Sequence, residues 1–116
     1  ERCDLAGIQT PTIAGIMPIT SLSSMRRMAE LAGGANFPAP LLRRLHRFQD
    51  DPQSVRQAGI SWAAEQCADL LDHGVRGIHF YTMNQSSATE EIYRSLGAPK
   101  GSMLRKQHLF VCQGIL

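Results

Sequence analysis

The run Gly77-Ile78-His79-Phe80-Tyr81-Thr82-Met83-Asn84-Gln85 constrains this chain more than any other stretch. Ile78, Phe80 and Thr82 alternate with His79, Tyr81 and Met83, the period of a pleated, packed strand. Gly74 and Gly77 punctuate the run before it, and Asn84-Gln85-Ser86-Ser87 opens a loop behind it. A helical pattern follows from Ala88 to Leu96, stopped by Gly97 and Pro99. A strand whose carboxyl end turns polar and feeds a helix is where α/β folds hold their ligands. The same residues also describe a core strand with an ordinary polar exit loop, and the pattern alone leaves both readings open.

Thr12-Ile13-Ala14-Gly15-Ile16-Met17-Pro18-Ile19 repeats the theme. Pro18 cannot donate a ladder hydrogen bond, so pairing should end near it. Gly15 removes a side chain from the strand interior, which marks a place where something else approaches the backbone. Behind this run, Ser21 or Ser23 caps a helix through Ala32, with Leu22, Met25, Met28, Ala29 and Leu31 as its apolar side and Gly33-Gly34 as its stop. Leu41, Leu42, Leu45 and Phe48 then share one helical face opposite Arg43, Arg44 and Arg47, as expected of a short outer helix. Asp51-Pro52 starts a long helix to about His73, with Val55, Gly59, Trp62, Cys67, Leu70 and Leu71 as its buried stripe. Gly59 costs that helix about 1 kcal/mol relative to alanine, so close packing is expected there. Glu1 to Ala6 reads as a helix end stopped by Gly7.

GIMPI, followed by HFYTMN and then SATEEIYRSLG, resembles the carboxyl-terminal part of methylenetetrahydrofolate reductase, from Arg2 to about Pro99. That family builds a flavin-dependent (β/α)8 barrel. The resemblance implies an α/β fold: the carboxyl-terminal fragment of a TIM barrel, two parallel strands with flanking helices, over residues 1–99. The tail, residues 100–116, matches nothing in the family. An extra strand, a disordered extension and non-native sequence all stay open for it. The chain has 116 residues, against the roughly 250 of a whole barrel, and it opens with Glu1. It is therefore expected to be the last quarter to third of a larger enzyme.

The resemblance further implies that NADH or NADPH reduces FAD, which reduces 5,10-methylenetetrahydrofolate to 5-methyltetrahydrofolate, in cytoplasmic one-carbon metabolism and methionine supply. It places the catalytic acid and most flavin contacts in the amino-terminal half, so no catalytic residue is expected here and the fragment alone should be inactive. Tyr81, Gln85, Met28 and Ser24 are the expected folate contacts, and Met83 the flavin contact. The family usually has leucine at the Met83 position, arginine at the Gln85 position and, in some members, phenylalanine at the Met28 position. Glutamine offers an anionic ligand neutral hydrogen bonds where arginine would offer a charged fork. From the pattern alone, Met28 is helix core and Ser24 a first-turn capping serine. His79 is expected to be a hydrogen-bonded core residue rather than a catalytic one.

The expected partners are a folate substrate and the missing amino-terminal part of the barrel, with a homo-oligomeric parent compatible. Two rival readings are a truncated, non-catalytic piece that docks on an amino-terminal half, and a related flavin barrel with an altered substrate. A net charge of +2 is too small to imply nucleic acid. The three cysteines and four histidines are scattered without metal-ligand spacing. No apolar run approaches the ~20 residues of a membrane span.

Overall fold

The structure, a computed structural model, describes residues 2–34 and 36–97 and the backbone of 111–113. Two strands, β1 (Ala14–Ile16) and β2 (Ile78–Phe80), lie parallel, with Ala14 opposite Ile78, Gly15 opposite His79 and Ile16 opposite Phe80. Flanking bonds from the Ala14 N–H to the Gly77 carbonyl and from the Tyr81 N–H to the Ile16 carbonyl extend the pairing at each end. Both strands are shorter than the apolar runs that encode them. Pro18 limits the first. Met83 and Asn84 limit the second by turning to positive φ, +48° and +61°.

Parallel neighbours need a long crossover between them. Here it contains α2 (Leu22–Leu31), α3 (Ala39–Arg47) and α4 (Pro52–Asp72). A short α1 (Arg2–Leu5) precedes β1, and α5 (Ser87–Ser95) follows β2. Ser21, the first of the two expected caps, starts α2, and Asp51 starts α4 by accepting from the Gln53 N–H, with Pro52 next in line.

The two expected parallel strands are present, and the tail adds to them. A third, β3 (Val111–Gln113), pairs parallel to the other edge of β2, giving the sheet order β1-β2-β3. An open parallel edge presents unpaired N–H and C=O groups, and the apolar run beginning at Leu109 supplies a strand-forming partner. The strand reading of the tail therefore holds for residues 111–113; its other residues lie outside the described ones.

One core joins the sheet to α4 and α5: Ile16, Ile78 and Phe80 pack with Ile60, Ala63, Cys67, Ala88 and Ile92. A second joins α3 to the first half of α4 through Leu41, Leu45, Val55 and Ala58, with Ile19 between them and Leu22, Met25 and Met28 of α2 at its margin. The expected stripe on α4 holds at Val55, Gly59 and Cys67 and is corrected elsewhere. Ala58, Ile60 and Ala63 are buried, while Trp62, Leu70 and Leu71 are only partly covered, because this helix packs on two faces at once. On α3, Leu41 and Leu45 are buried but Leu42 and Phe48 stand exposed. Arg44 is not a free surface charge: its guanidinium donates to Glu65 at 2.9 Å and to Ser61 at 3.0 Å, tying α3 to α4.

Gly59 shows why the long helix tolerates a glycine. A Cβ there would lie 1.9 Å from the Ile19 carbonyl oxygen, so the expected close approach is to the backbone leaving β1.

Candidate functional site

Beyond the carboxyl ends of β1 and β2 the chain forms a cleft of about 630 Å³, within the size range of small-molecule sites. All five residues singled out from sequence line it: Ser24 and Met28 from α2, and Tyr81, Met83 and Gln85 from the segment behind β2.

On α2, Ser24 closes a capping box. Its N–H donates to the Ser21 hydroxyl at 3.1 Å, and its hydroxyl oxygen accepts from the Ser21 N–H at 3.2 Å while donating to the Ser21 carbonyl at 2.8 Å. The capping reading of Ser24 is therefore correct, and the same serine also borders the cleft. Met28 likewise packs on the α3–α4 core, the helix-core reading, and also lines the cavity. Helical spacing explains the shared wall, since positions three and four apart lie on one face.

The Tyr81 ring lies against the backbone of β1. A Cβ on Gly15 would come within 2.9 Å of it, so the missing side chain makes room for the ring. His79 meets Tyr81 edge-on, with ring centroids 4.7 Å apart. The expectation that His79 is a hydrogen-bonded core residue is corrected: it is half-buried, and among the described residues aromatic packing holds its ring rather than a hydrogen bond.

Past Tyr81 the backbone turns sharply. Met83 and Asn84 both adopt left-handed conformations, a geometry that costs a non-glycine residue roughly 1 kcal/mol or more. The Gln85 N–H closes the turn on the Thr82 carbonyl at 2.9 Å. This strained pair turns the Met83 thioether outward, 68% exposed at the cleft. The Gln85 amide is exposed beside it and has no hydrogen-bond partner among the described residues.

The cleft also takes Thr20, Arg27, Phe37, Thr82 and Thr89, none of which the sequence reading singled out. Thr20 was legible as a polar residue just past the first strand; Arg27 and Phe37 carried no such signal. The Thr89 hydroxyl is buried without a hydrogen-bond partner among the described residues, leaving the wall an unused polar group. These groups suit the apolar edge of a flat ring system. Among the described lining residues there is no glycine-rich phosphate cradle. Burial pushes the Cys67 thiol up to about 11, which makes it an inert core residue. Among the described residues no three His, Cys, Asp or Glu side chains gather as a metal site, and no helix is long and apolar enough to cross a membrane.

The family model described as methylenetetrahydrofolate reductase matches residues 1–97, most of the chain. The chain belongs to the methylenetetrahydrofolate reductase family. It is 35% identical over 95 residues to methylenetetrahydrofolate reductase (NADH) 1 of Arabidopsis thaliana, an alignment covering 82% of this chain and 16% of that protein. It is 38% identical over 96 residues to a probable methylenetetrahydrofolate reductase (NADPH) of Caenorhabditis elegans, covering 82% of this chain and 14% of that protein. To the 5,10-methylenetetrahydrofolate reductase of Escherichia coli it is 28% identical over 101 residues, covering 87% and 34%. The chain thus spans between about a seventh and a third of the length of these reductases. The part matched to the reductase family contains β1, β2 and all five cleft residues named above.

Proposed function

We propose that residues 1–99 are the carboxyl-terminal segment of the catalytic barrel of a methylenetetrahydrofolate reductase, and that the cleft is the folate-facing margin of its active site. The observation that supports this best is the convergence of Ser24, Met28, Tyr81, Met83 and Gln85 on one cavity at the carboxyl ends of two parallel strands, the location at which parallel α/β folds work. Tyr81 and Met28 offer ring and thioether surface to the flat body of a folate. Ser24 and Gln85 offer neutral hydrogen bonds at its polar edges. Met83, held outward by its strained turn, meets the edge of FAD. When bound, FAD would supply the hydride chemistry between NADH or NADPH and the folate. This chain's residues orient the substrate and exclude water, and the proton donor comes from outside it. The setting is cytoplasmic one-carbon metabolism and methionine biosynthesis. The near-equal similarity to a relative named for NADH and one named for NADPH favours neither donor.

The test uses the longest reading frame that encodes this chain. The purified protein should show flavin absorption bands that bleach with reduced nicotinamide and return on adding methylenetetrahydrofolate. Bound flavin that is reduced but ignores the folate would replace this reading with a reductase of altered substrate, for which Gln85 is the motivating residue. Absence of flavin would remove the enzyme reading and leave a non-catalytic segment that docks on the rest of a barrel.

A further inference from the structure

Among its described lining residues the cleft carries one permanent charge. Arg27 supplies it, and no aspartate, glutamate or lysine lines the cavity with it. Ser24, Arg27, Met28 and Leu31 all reach the cleft from α2, the i, i+3, i+4, i+7 pattern of a single helix face. Three arginines elsewhere are taken up by neighbours: Arg44 meets Glu65, Arg56 meets Glu91 and Arg94 meets Glu90. Arg27 enters none of the ion pairs among the described residues. A largely apolar cavity with neutral polar groups and one unneutralised guanidinium favours a ligand with a flat or apolar body and a negatively charged end. Gln85, in the same cavity, offers such an end only neutral bonds.

We infer that Arg27 is the residue of this cleft that recognises the anionic end of the bound ligand. The inference rests on the folate reading of the cleft and adds the group that sets its charge preference. The matching oxyanion is the carboxylate pair on the glutamate of a folate or the phosphates of a nicotinamide dinucleotide; a guanidinium fork accepts either.

The experiment is an NMR titration of the full chain and of Arg27→Gln with three ligands: 5-methyltetrahydrofolate, its pteroate analogue lacking the glutamate, and NADH. Arg27→Gln should weaken the folate about fivefold, the scale of one solvent-exposed charged contact, and leave the pteroate within about twofold. Raising the salt should weaken folate binding to the natural chain and hardly affect the variant. Adding Gln85→Arg to Arg27→Gln should restore much of the loss, which a merely structural role for Arg27 would not allow. A loss confined to NADH would keep Arg27 as the anion contact and name the nucleotide phosphates as its source. Equal losses for folate and pteroate, or none for either folate or NADH, would overturn the inference while leaving the folate cleft standing. If the natural chain binds none of the three ligands, the cleft reading and the inference fall together.

Discussion

The two packed regions on either side of the β1 exit differ in how completely they close. On the sheet side, α4 and α5 bury Ile60, Ala63, Cys67 and Ile92 against Phe80, and both Cys67 and Ile92 are 0% exposed. On the other side, α2 itself contributes no buried residue: Leu22, Met25 and Met28 are partly covered, and Leu31 is 77% exposed. The closed region fixes the ends of the strands, and the open one leaves apolar surface facing the cleft. A site wall needs this difference. Surface already spent on the protein's own core has little left for a ligand, and loosely packed segments open at lower free energy than the core does.

Four perturbations test that contrast. Phe80→Ala should have the largest effect, about 4 kcal/mol, because the ring is 2% exposed between sheet and helices. Chemical denaturation of the full chain measures it, and a cost below about 1 kcal/mol would deny the sheet side its role as framework. Gly59→Ala comes next, at roughly 2–3 kcal/mol. Its Cβ would collide with the Ile19 backbone carbonyl, which cannot swing aside as a side chain could, where the two regions meet. A neutral result would mean that α4 slides freely past β1, and the two regions would then be uncoupled.

Met28→Ala separates them in the other direction. Its partial burial predicts a stability cost of about 1 kcal/mol or less, with a several-fold loss of folate affinity by calorimetry. The reverse ranking would return Met28 to pure core.

The smallest effect concerns the join between α4 and α5, where Arg56 donates to Glu91 at 2.7 Å. The Arg56 hydrogen bond holds the Glu91 carboxyl below its usual range. A depressed folded value means that this stabilisation is complete above the ordinary glutamate value, near pH 4.5, and fades as the pH falls through the lower folded value. Both side chains are partly solvated, so the contribution is at most about 0.5 kcal/mol. Glu91→Gln should lower Tm by a degree or two at neutral pH and flatten the acid limb of the stability curve. An unchanged acid limb would assign it to other carboxylates.

Much of the fold was legible because its signals are local. Asp51-Pro52, Ser21 and the glycines after α1, α2, α4 and α5 mark ends through backbone chemistry that needs no distant partner. Tyr81, Met83 and Gln85 were legible as the polar carboxyl end of a strand, whereas Ser24 and Met28 stood out only through the family resemblance. Burial was less legible. Leu42 and Phe48 have the same spacing and hydrophobicity as Leu41 and Leu45, yet only the latter two meet α4. Arg44 and Arg27 look alike in sequence, and one is an interhelical tie while the other faces a cavity. His79 gave no sign that its neighbour's ring, rather than a hydrogen bond, would hold it.

By itself, the sequence determined the element types, their caps and stops, and the family, since each of these depends on neighbouring residues or on the order of short motifs. Only the tertiary structure decided which face of α4 meets the sheet, what fills the space left by Gly15 and Gly59, and which arginine stands unpaired in the cleft. Those outcomes depend on groups far apart in the chain being brought within a few ångströms, and such contacts have no local pattern to read.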